Sequence, residues 1–75
     1  MTALKRIEFL RLKLTEDLVA ILMEENGFAI EEAFAILYRS QTYAHLSNPN
    51  TKLYIQSAEY VYSLLEEELE KVNKI

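Results

Sequence analysis

The chain has 75 residues, no cysteine, one glycine, one proline and a formal net charge of −4. That length leaves room for one domain, taken as residues 1–75, and the missing cysteines exclude disulfides and thiolate metal sites. A domain this small buries only about 60 % of its unfolded surface, so close helix packing or self-association must supply the remaining stability.

The first predicted element runs from a cap at Thr2 to Asn26, because no glycine or proline interrupts the chain before Gly27. Leu4, Ile7, Leu10, Leu14, Leu18, Ile21 and Leu22 recur at spacings of three and four, which places them on one helical face. The alternation of Leu10, Leu12 and Leu14 with Arg11 and Lys13 also fits a short strand. No other segment offers such a strand a partner, so a single helix is expected. Asn26-Gly27 supplies the stop, with Phe28 placed to fold back on Met23 as in a Schellman motif.

A second helix is predicted over Ile30–Arg39, with Ile30, Ala33, Phe34 and Leu37 as its apolar stripe and Glu31 and Glu32 favoured by the helix dipole. Ala29 is a poor N-cap for it. One short helical turn is expected at Thr42–Leu46, followed by the loop signal Ser47-Asn48-Pro49-Asn50-Thr51. The last helix should start at Ser57 as N-cap and bury Val61, Leu64, Leu65, Leu69 and Val72. The expected fold is all-α: a small three-helix bundle with a long first helix and one additional short helical turn.

Charge is sorted along the chain. Residues 1–13 hold Lys5, Arg6, Arg11 and Lys13 against Glu8, whereas residues 14–32 hold six acidic groups and no basic one. Such sorting can favour head-to-tail contacts between antiparallel helices or subunits, but a set of solvated faces is the expected reading. No stretch is apolar for the roughly 18 residues a membrane crossing needs, and charges interrupt the apolar residues before Lys13, so neither a span nor a signal peptide is expected and cytoplasm is the default. The net negative charge argues against a dedicated nucleic-acid binder.

Catalytic, cofactor and metal sites are not expected. His45 is the only histidine, no serine or threonine has a nucleophile-elbow context, and one glycine cannot build a phosphate-binding loop. A helix-turn-helix reader would have to use Thr42–Leu46, which carries no lysine or arginine.

Three groups of residues are instead singled out. Arg11 and Glu68 each interrupt an apolar helical face, and either meet as a semi-buried ion pair or each extend to the rim with the charged head in water. Phe9, Leu12, Val19 and Met23 form a second apolar stripe on the first helix, expected to be a homodimer interface, with the alternative that the two shorter helices clasp the first from both sides. Tyr38, Tyr43, Tyr54, Tyr60 and Tyr62 all fall in one stretch, read as a structural clasp or a partner contact. Ser40, Thr42, Thr51, Gln56 and Ser57 are expected to satisfy their hydroxyls and the loop backbone.

Tyr38, Ser40, Thr42, Tyr43 and Leu46, followed by Thr51 to Leu69 in the outline TxLYxQSxxYVYxxLxxEL, also resemble a family of small uncharacterised bacterial helical proteins. The resemblance extends over roughly 7–69. Some members are described as candidate toxin–antitoxin components, and some are coded near toxin-like ADP-ribosyltransferases. No established activity comes with the resemblance. Taken with the absent catalytic constellations and the second apolar stripe, the expected function is a non-enzymatic interaction module that binds itself and can, as an antitoxin-like or accessory component, bind a protein partner. A small DNA-associated regulator using the basic N-terminus is the alternative.

Overall fold

The structure is a computed structural model that describes residues 3–73. The expected Thr2 cap, and the side chains of Leu4 and Val72, lie outside the described residues. Four α-helices follow one another: α1 (Ala3–Asn26), α2 (Ile30–Arg39), α3 (Gln41–Leu46) and α4 (Ala58–Asn73). Two single-turn 3₁₀ segments, Pro49–Thr51 and Leu53–Ile55, connect α3 to α4. The fold is all-α, with three long helices and one short one, and no strand forms at Leu10–Leu14.

Its core is a seam along α1. Leu14, Leu18 and Leu22 repeat every fourth residue, and Leu18 and Leu22 are fully buried. Leu37 from α2, Leu46 from α3, and Val61 and Leu65 from α4 close over them with the same completeness. Three elements pack on α1: α2, α4 and the second 3₁₀ segment. The seam also admits one polar side chain, Thr15, whose hydroxyl is satisfied by donating to the Arg11 carbonyl at 2.8 Å.

The turns follow from local chemistry. Gly27 adopts φ +71° and its N–H donates to the Met23 carbonyl at 2.9 Å. That single bond is the simple left-handed cap, a smaller motif than the Schellman closure the sequence suggested. Phe28 and Met23 nevertheless both lean on the core. Ala29 offers no capping side chain, so Glu32 compensates by accepting the Ala29 N–H at 3.1 Å, which is half of a capping box. Ser57 caps α4 as expected, its Oγ accepting the Tyr60 N–H at 3.1 Å.

The connection after α3 is tied down by small polar groups. Asn48 Oδ1 accepts the Asn50 N–H, and the Thr51 hydroxyl lies 2.6 Å from the His45 carbonyl and 2.9 Å from that of Asn48. Between the two 3₁₀ turns, Lys52 takes φ 57°, the one non-glycine residue with positive φ among those described. A lysine there carries left-handed backbone strain of about 1–2 kcal/mol.

Two substitutions test this account. Leu18→Ala should lose about 2–5 kcal/mol, a large part of the stability such a small domain has, read as a lowered urea midpoint. Lys52→Gly should raise the thermal midpoint by a few degrees. It removes the left-handed strain while adding freedom to the unfolded chain, for a net gain of up to about 1 kcal/mol.

Candidate functional site

The most organised polar arrangement joins α4 to the start of α3. A six-residue helix gains too few internal hydrogen bonds to stand alone, and its first N–H groups need external acceptors. Glu68, half-buried on α4, supplies two of them. Its Oε2 accepts the Gln41 N–H at 2.8 Å, and its Oε1 accepts the Thr42 N–H at 2.9 Å and the Thr42 hydroxyl at 2.8 Å. Ser40 Oγ accepts the third, the Tyr43 N–H, at 3.0 Å. The first three amides of α3 are therefore all engaged, and a negative charge sits at the positive end of the helix.

This arrangement replaces the expected Arg11–Glu68 ion pair. Among the described residues no ion pair joins Arg11 to Glu68, because both carboxylate oxygens are taken by α3. Partial burial alone would raise the Glu68 pKa, but the Gln41 and Thr42 N–H groups, the Thr42 hydroxyl and the His45 charge together hold it below its ordinary value.

The second apolar stripe of α1 divides in two. Val19 is 5 % exposed and belongs to the core, whereas Met23 packs against that core and stays partly exposed. The cause is α2, which returns along this side of α1 and brings Ile30 and Phe34 beside Val19, Ala20 and Met23. Phe9 and Leu12 lie beyond its reach and stay 61 % and 56 % exposed. On α2 itself, Ile30, Phe34 and Tyr38 follow one another at every fourth position, and Ile30 and Tyr38 are about half exposed.

The five tyrosines are neighbours in sequence without forming one cluster. Tyr43, Tyr54 and Tyr62 lean on the core, whereas Tyr38 and Tyr60 stand half in solvent. Tyr38 connects two rings, 5.4 Å from Phe34 and 5.0 Å from Tyr43 between centroids. The Tyr62 hydroxyl accepts from Asn26 Nδ2 at 3.3 Å, linking α4 to the end of α1. Ser40, Thr42, Thr51 and Ser57 bond backbone and Glu68 rather than tyrosine hydroxyls, because the helix ends beside them have the nearer unsatisfied groups.

Several clefts flank α4. One of about 400 Å³ lies over α3, lined by Gln41, Thr42, His45, Leu64, Glu67, Glu68 and Lys71. Another, of about 430 Å³, lies between Phe28, Ile36 and Leu69 with Glu66 and Glu70 at its edge. In the first, the best-placed carboxylate is Glu68, already engaged as a helix cap. No group of three or more metal-ligating side chains converges among the described residues. No helix among them is long and apolar enough to cross a membrane. No family model, curated protein or solved structure matches the chain, so its geometry alone carries the functional reading.

The Glu68 cap gives a pH-dependent prediction. With its folded-state pKa below the ordinary 4.5, Glu68 contributes its stability above about pH 4.5 and loses it progressively as the pH falls further. Glu68→Gln should cost about 1–2 kcal/mol at pH 7 and flatten this part of the acid-unfolding profile, measured by circular dichroism.

Proposed function

We propose that the protein is a non-enzymatic interaction module acting in the cytoplasm through the outer face of its α1–α2 hairpin. The observation that carries this reading is the exposure of Phe9, Leu12, Ile30 and Tyr38, four of the six large hydrophobic side chains that stand outside the core among the described residues, Ile55 and Tyr60 being the others. Exposed apolar groups of this size, gathered on one pair of helices, favour a protein partner over solvent. The resemblance to small bacterial helical proteins, some of them described as candidate toxin–antitoxin components, is in keeping with it. An antitoxin-like or accessory component would act by covering its partner with such a surface.

DNA association through the basic start of α1 is the second reading, favoured by the exposed Lys5, Arg6 and Lys13. Two features weigh against it. Lys13 is held by Asp17 at 3.7 Å, and Glu68 occupies the end of α3 where a phosphate would otherwise approach.

Affinity purification from the native cell separates the two. A partner protein retained in stoichiometric amount and lost with Leu12→Asp supports the interaction module. Leu12 is 56 % exposed, so this variant should keep its helix content. Nucleic acid that is retained at low salt and released as salt is raised supports the DNA reading instead.

A further inference from the structure

The exposed stripe of α1 has a charge pattern that selects its own occupant. At 100° per residue, Lys5, Phe9, Leu12 and Glu16 fall within one narrow sector of the helix. The two apolar residues are central, the cation lies toward the N-terminus and the carboxylate toward the C-terminus. Lys5 precedes Phe9 by the same number of residues that separates Glu16 from Leu12, so the pattern reads as its own complement when reversed.

We propose that this face is covered by the same face of a second copy, the two α1 helices lying antiparallel about a twofold axis between Phe9 and Leu12. In that register Phe9 faces the partner's Leu12, and Lys5 faces the partner's Glu16, each contact occurring twice. A parallel pair would instead set lysine against lysine and glutamate against glutamate. The longer-range charges agree with the antiparallel sense. Within the overlap Arg6 lies level with the partner's Thr15, next to the partner's Glu16 and the partner's Asp17, and Lys13 lies level with the partner's Glu8.

A groove of about 230 Å³ lined by Glu16, Val19, Ala20, Met23, Ile30 and Phe34 begins beside the Glu16 end of this face. In this register residues 3–18 of the two α1 helices overlap, a face about 24 Å long and about 10 Å wide. About 250 Å² per copy, before any contribution from α2, is below the size of a stable specific interface. A weak dimer that dissociates in the range of roughly hundreds of micromolar is therefore expected.

This inference deepens the interaction reading and rests on it, with a test of its own. Sedimentation equilibrium on the full chain between about 1 and 500 µM should show the mass rising from 8.8 kDa toward twice that value. Lys5→Glu and Glu16→Lys, each with unchanged helix content by circular dichroism, should each weaken self-association at least tenfold. An equimolar mixture of the two variants should recover it, because every facing pair is then again of opposite sign. Wild-type protein that stays at 8.8 kDa throughout overturns the proposal, as does a dimer indifferent to both substitutions or a mixture that fails to recover. The broader reading fails separately: a foreign partner captured through Leu12 sustains it even if the chain is monomeric.

Discussion

The structure depends on burying one seam of α1. In a chain of 75 residues with no disulfide, Leu18 and Leu22 have to be covered completely, and every other element is placed by that requirement. α2 covers one flank, α4 the other, and the second 3₁₀ turn reaches the same helix from the connection between them. A core of this size leaves little surplus over the entropy of ordering the chain. Polar fastenings at the periphery therefore matter more than they would in a larger domain. Glu68 is the principal one, since α3 would have no acceptors for two of its amides without it.

The same economy explains the exposed face. One helix of 24 residues is longer than the ten-residue helix that packs beside it, so nothing among the described residues covers the far half of its second stripe. Phe9 and Leu12 are the residues left over. Their exposure is a consequence of unequal helix lengths, and it gives the protein a surface suited to contact.

Much of the fold was legible because its signals are local. The heptad-like spacing of α1, the Asn26-Gly27 stop, the acidic first turn of α2 and the Ser57 cap each depend on a few adjacent residues, and the helices begin and end where those residues stand. What stayed hidden was the content of the space across each helix. A helical wheel locates Val19 and Met23 on a second stripe but does not say that α2 folds onto that stripe. It also shows Glu68 interrupting an apolar face without naming its partner. The search for an opposite charge led to Arg11, whereas the acceptor was needed by backbone amides, which no residue type advertises. The tyrosines make the same point from the other side. Gathered in one stretch of sequence, they are dispersed in space because that stretch contains a helix end, a short helix, a loop and the start of α4.

Ser40 has a consequence for how the protein could move or change. It closes α2 through its N–H and its hydroxyl, both donated to the Leu37 carbonyl, and it opens α3 by accepting the Tyr43 amide. One residue thus serves as the end of one helix and the beginning of the next, and no spacer lies between them. The joint has no slack. A rotation of α2 about its axis is passed directly to α3 and from there, through Thr42, to the carboxylate on α4. Length variation should be tolerated in the loop after α3 and excluded at this joint, where one added residue would turn α3 by about 100° and carry its amides away from Glu68.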